Sequence, residues 1–183
     1  MQAFPAAVRA WHPVAMSATD ELLKNNATFA QTFEAGEIGP EPAKKVAVVA
    51  CMDARIDIHA IFGLGLGDAH VIRNAGGVVT DDVLRSLLLS QRLLGTEEIV
   101  VMQHTGCGLH DLREAEVRAE IARDAGREPD FPLLGFDDLE ESVRSSLKRL
   151  ATEPLLPHRS SIRGFVYDVR SGRVTEVVNR EPE

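Results

Sequence analysis

The chain has 183 residues, enough for one well-cored domain and too few for two of ordinary size. Apolar residues make up 44% and charged residues 26%, the balance of a soluble globular protein, and no apolar run reaches the roughly 18 residues a spanning helix needs. A formal net charge of −8 disfavours a surface that tracks a phosphate backbone, so neither nucleic acid nor membrane is an expected partner.

Residues 1–16 hold Pro5, Arg9, Trp11 and Pro13 but no continuous apolar stretch, so they do not read as a secretory signal and are expected to be a flexible extension. The remainder, 17–183, is expected to be a single domain. Ser17, with Asp20 and Glu21 in the first turn and Leu22, Leu23, Phe29 and Phe33 behind them, predicts an N-terminal helical arm over 17–35. Its thin apolar stripe suits a neighbouring subunit. After a connection over 36–45, Val46 to Ala50 is a short continuous apolar run, the pattern of a strand buried on both faces of a parallel sheet, with Cys51 at its C-terminal end.

Ile56 to Phe62 predicts a short helix, broken by Gly63, Gly65 and Gly67 before a second strand over 69–73. These glycines end a helix and lead into a strand, the reverse of a dinucleotide-binding loop. Gly76 and Gly77 follow the second strand and permit positive φ or close backbone approach. Thr80, Asp81 and Asp82 then cap a leucine-rich helix that Gly95 ends. Glu98 to Gln103 is the third buried strand, and His104 and Cys107 lie in the loop at its C-terminal end. Charged helices are predicted over 109–125 and 137–151, and the segments 161–169 and 174–178 read as a hairpin closing one edge of the sheet. The fold class is therefore α/β: a mainly parallel central sheet flanked by helices, with an antiparallel C-terminal edge hairpin and an N-terminal helical arm.

Strand ends in a parallel sheet share one edge, and ligands bind in the crevice outside it. Cys51 and the loop of His104 and Cys107 can therefore converge if their strands are neighbours. Two thiols and an imidazole are the donors that Zn²⁺ prefers, and three protein ligands leave a fourth position open for chemistry. A water there would be a nucleophile, less acidic beside two thiolates than in a three-histidine site. Asp53 has two competing partners, the metal and Arg55. Bound to the metal it closes the site; held by Arg55 it frees the fourth position, a gate expected to open as pH rises. The rival is a Cys51–Cys107 disulfide, which leaves Asp53, Arg55 and His104 without a role. Two cysteines do not make a disulfide framework and fit a reducing compartment, so the expected location is the cytoplasm. Among the other histidines only His110, just beyond Cys107, is a candidate proton relay.

Cys51-x-Asp53-x-Arg55, Arg73-Asn74-Ala75-Gly76-Gly77 and His104-Thr105-x-Cys107-Gly108, in this order, resemble the β-class carbonic anhydrases, most closely the compact bacterial type. The resemblance implies one Zn²⁺ per chain on Cys51, His104 and Cys107, with Asp53 as a further potential ligand and Asp53–Arg55 as a catalytic dyad. It implies reversible hydration of CO₂ to bicarbonate and a proton by attack of a zinc-bound hydroxide, in a homodimer or higher even-numbered homo-oligomer. COS or CS₂, also linear molecules with an electrophilic carbon, are alternative substrates on the same scaffold; a non-catalytic zinc protein is the reading from a different class. The glutamine that plant-type members place before the first strand has no counterpart between Glu37 and Val46.

Overall fold

The computed structural model describes residues 17–34 and 36–178. The expected extension over 1–16 lies outside them. The chain divides into two compact units, Met1–Glu37 and Ile38–Glu183.

In the first unit, helix α1 spans Ala18–Ala30. It starts where it does because Ser17 and Asp20 form a capping box: the Asp20 amide donates to Ser17 Oγ at 3.2 Å and the Ser17 amide to Asp20 Oδ2 at 2.9 Å. None of its residues is buried, and Leu22 (66% exposed) and Phe29 (59%) present an apolar face to solvent.

The second unit is built on a five-stranded sheet in the order β2-β1-β3-β4-β5. The strands are β1 (Val46–Cys51), β2 (Ala69–Asn74), β3 (Glu98–His104), β4 (Ile162–Tyr167) and β5 (Val174–Val177). Four run parallel and β5 closes the edge antiparallel to β4, as the hairpin pattern predicts. The apolar run of β1 reflects its central place: Ala47 to Cys51 are all buried between layers. One face packs Ala47, Val49, Ile99 and Val101 against Val83 and Leu87 of α3 (Asp81–Leu94) and Val143, Leu147 and Leu150 of α5 (Leu139–Thr152). The other packs Val48, Ala50 and Met102 against Ile56 and Ile58, the latter opening the short α2 (Ile58–Phe62). Each fully buried leucine or isoleucine in these layers contributes about 1.5–3 kcal/mol of transfer free energy.

Helix boundaries differ from the sequence expectation by more than one residue where α1 ends at Ala30 and not near 35, where α2 starts at Ile58 and not Ile56, where α5 starts at Leu139 and not Asp137, and most of all where α4 starts late. Helix α4 runs Glu114–Ala125 and not from Leu109. The residues before it pair instead with a distant segment: the Phe136 amide donates to Leu109 O, the Asp111 amide donates to Phe136 O, and Asp111 takes a φ of 56°. Those hydrogen bonds replace the ones a helix would have made.

Candidate metal centre

Strands β1 and β3 are parallel neighbours, Ala50 opposite Met102, so Cys51 and His104 emerge at one edge of the sheet. The loop after β3 folds back there, with Gly106 at a φ of 63° and the His110 amide donating to Cys107 O at 3.2 Å. The donor atoms of Cys51, His104 and Cys107 consequently lie within 4.8 Å of one another, and all three residues are buried. Both cysteines are free thiols.

His104 is the clearest sign of what the cluster is for. Its Nδ1 lies 3.0 Å from Thr105 O. A carbonyl only accepts, so Nδ1 carries the hydrogen and Nε2 keeps its lone pair. That Nε2 is buried with no hydrogen-bond partner, a position that would be costly unless something else occupies it. Burial pushes the His104 imidazole below its ordinary pKa, and burial together with neighbouring Cys51 pushes the Cys107 thiol above its own. Two sulfurs and an unpartnered imidazole nitrogen at this spacing fit one tetrahedral Zn²⁺.

Asp53 stands beside the cluster, Oδ2 3.8 Å from His104 Nε2, with its carboxylate turned onto Arg55. Arg55 Nε donates to Asp53 Oδ1 at 2.9 Å and a terminal nitrogen to Oδ2 at 2.7 Å, a bidentate pair, and the Arg55 amide adds a third bond to Oδ1. These bonds hold the Asp53 carboxyl far below the usual carboxylate range. The guanidinium also donates to Gly106 O at 3.0 Å, tying the first motif to the second.

Arg73 and Asn74 brace the wall. Arg73 donates through Nε to Cys51 O at 2.9 Å and through a terminal nitrogen to Asp53 O at 2.7 Å, gripping the backbone on both sides of Met52; Asn74 Nδ2 donates to Val78 O at 2.8 Å. Gly77 makes the close approach its sequence permits: a Cβ there would sit 2.7 Å from the Cys51 amide nitrogen and 2.9 Å from Met102 O. His70 is engaged elsewhere, Nε2 donating to Pro40 O and Nδ1 accepting from Ser90. His110 donates from Nε2 to Asp137 O at 3.0 Å. Thr105, named in the sequence only as part of its motif, and Asp168, which sequence reasoning passed over, meet behind His104, the Thr105 hydroxyl donating to Asp168 Oδ1 at 3.3 Å.

Residues 46–174 match the family model for carbonic anhydrase. The chain is 45% identical over 162 residues to Beta-carbonic anhydrase 1 of Mycobacterium tuberculosis, covering 88% of this chain and 99% of that protein. This chain belongs to the β-class carbonic anhydrase family. The fold agrees: a carbonic anhydrase from Streptococcus mutans superposes with a TM-score of 0.85 at 43% identity, over 90% of this chain and all of that one. A more distant relative, 31% identical over 75% of this chain and 79% of its own length, is the carbon disulfide hydrolase of Acidithiobacillus thiooxidans. Within the family, the three linked motifs of this chain meet at one sheet edge, and the zinc that the Cys51, His104 and Cys107 donor set suits is its cofactor.

Proposed function

We propose that Cys51, His104 and Cys107 hold one zinc ion per chain and that the centre hydrates CO₂ reversibly to bicarbonate and a proton, with Asp53 and Arg55 as its gate. The observation that carries this is the buried, unpartnered His104 Nε2 facing two free thiols, next to a carboxylate held aside by Arg55. Zinc in such a centre would supply a Lewis acid that makes water nucleophilic, on the alkaline side of a three-histidine site. Asp53, ionised and fixed by its bidentate partner, would accept a hydrogen bond from a nucleophilic water at the centre and orient it toward CO₂. Arg55 keeps the carboxylate from becoming a fourth ligand and, through Gly106 O, keeps the Cys107 loop in place. The thiols belong to the apolar cluster of Ile56, Met102 and Tyr167, which keeps bulk water away from the donor side and suits an apolar substrate.

Stopped-flow CO₂ hydration with parallel metal analysis tests the reading. Wild-type protein should carry zinc and turn over; Cys107→Ala should lose both, and retained activity in that variant would refute the ligand assignment. The carbon disulfide hydrolase relative supports a second reading, hydrolysis of CS₂ or COS by the same nucleophile, for which the readout is H₂S release. Negligible turnover of every substrate by zinc-loaded protein would support a non-catalytic zinc protein.

Residues 17–183 work as one domain, with 17–35 as an arm onto a second copy in a homodimer or higher even-numbered assembly. The exposed Leu22, Leu23, Phe29 and Phe33 support this. Among the described residues no helix is long and apolar enough to cross a membrane, and the free thiols suit the cytoplasm.

A further inference from the structure

Thr105 has every polar group engaged. Its amide donates to Tyr167 O at 3.0 Å, its hydroxyl donates to Asp168 Oδ1 at 3.3 Å and accepts from the Val169 amide at 3.2 Å, and its carbonyl accepts from His104 Nδ1 at 3.0 Å. Three of these reach into the C-terminal hairpin, and the fourth sets the ring plane and tautomer of His104. The carbonyl in question belongs to the peptide between Thr105 and Gly106, and a glycine at a φ of 63° does little to hold that plane. Arg55 holds the next carbonyl, Gly106 O, and this plane is held from its other side by the bonds Thr105 makes behind it.

Asp168 is itself immobilised at the hairpin turn. Its Oδ1 also accepts from the Arg170 amide at 2.9 Å and its Oδ2 from Ser171 Oγ at 2.8 Å, while its amide donates to Arg173 O at 2.9 Å. The turn is more than a way of closing the sheet edge.

We infer that Asp168, acting through Thr105, is a positioning residue that fixes the His104 ring for metal binding, so that the β4–β5 turn is an outer support of the zinc centre. This rests on the reading that Cys51, His104 and Cys107 hold zinc. Outer partners of a ligating histidine typically govern metal affinity by about 10–100-fold.

The test is zinc release from loaded protein into excess chelator, with zinc content measured and folding checked by far-UV circular dichroism. Thr105→Val removes the hydroxyl at nearly constant shape, and Asp168→Ala removes the carboxylate. Both should release zinc roughly 10-fold faster or more. Asp168→Asn should stay close to wild type, because its side-chain oxygen still accepts from Thr105 and its amide can donate to Ser171 Oγ. Arg163→Gln, which breaks the Arg163–Glu176 pair in the same hairpin away from Thr105, serves as the control for general loosening. The inference is overturned if Thr105→Val and Asp168→Ala release zinc no faster than Arg163→Gln, or if Asp168→Asn is as fast as Asp168→Ala. If Asp168→Ala does not fold, Thr105→Val against Arg163→Gln decides. Wild-type protein that takes up no zinc would overturn the reading of the centre and this inference with it, whereas a loaded wild type with unaffected variants overturns this inference alone.

Discussion

Replacing Gly77 with alanine should disturb the metal centre without touching a donor. Gly77 has a φ of 63°, and an added Cβ would lie 2.7 Å from the Cys51 amide nitrogen, 2.9 Å from Met102 O and 3.0 Å from the Ala50 carbonyl carbon. The left-handed conformation costs an alanine about 1–2 kcal/mol. Because the three nearest atoms are all backbone in β1 and β3, no swing of a side chain relieves the contact, and overpacking adds about 1–3 kcal/mol. The sum, roughly 2–5 kcal/mol, lowers Tm by about 4–20 °C for a chain of this size, at ~2–4 °C per kcal/mol. Gly95→Ala is the matched control: its φ is 71° and a Cβ there meets nothing within 4 Å, so it carries the conformational cost alone. Thermal unfolding of both variants free of metal, followed by zinc release from the loaded forms, separates the two effects. Gly77→Ala should be the less stable and the faster to lose zinc, since relief of the clash must move Cys51. Equal Tm values and equal release rates would refute the claim that this glycine seats the first ligand.

Arg55→Ala leaves the three donors in place but frees Asp53 and breaks the bond to Gly106 O; kcat/KM for CO₂ hydration should fall by about 10–100-fold with zinc content unchanged, and activity within twofold of wild type (~2-fold, well under that range) would remove Arg55 from the gate. Stability of the metal-free protein should fall in acid. Arg163 beside Glu176, Lys45 beside Glu97, and the turn amides and hydroxyl around Asp168 hold these carboxyls below their ordinary values. A depressed folded pKa means the stabilisation is present above the unfolded values, about 3.9–4.3, and is lost as pH falls through them toward the folded ones. Urea midpoints taken from neutral pH down into that window should drop, and less steeply for Glu176→Gln; an identical slope in that variant would show that the Arg163 pair contributes nothing to the dependence.

Much of the centre was legible in the sequence because local patterns carry it. A continuous apolar run places Cys51 at a strand end, a second places His104 at another, and right-handed βαβ connections bring parallel strand ends to one edge. Paired glycines announced the tight approach of Gly77, although not the atoms it approaches. What stayed hidden depends on contacts between distant residues. Nothing local in Leu109 to Leu112 forbids a helix; Phe136 does so by pairing with them. Thr105 and Asp168 are ordinary residues for a loop and a hairpin turn, and only the β3–β4 register, His104 opposite Tyr167, sets one behind the other.

The adjacency of β1 and β3 also bears on how the protein comes apart. A parallel pair of strands is joined through a long stretch of chain, and its formation is slow because that loop must close before the pairing is rewarded. An ion held by Cys51 at the end of one strand and by His104 and Cys107 at and beyond the end of the other would be a removable cross-link across this loop. A zinc ion bound there would stabilise the folded chain and, where the unfolding transition state has already lost that grip, would slow opening as well.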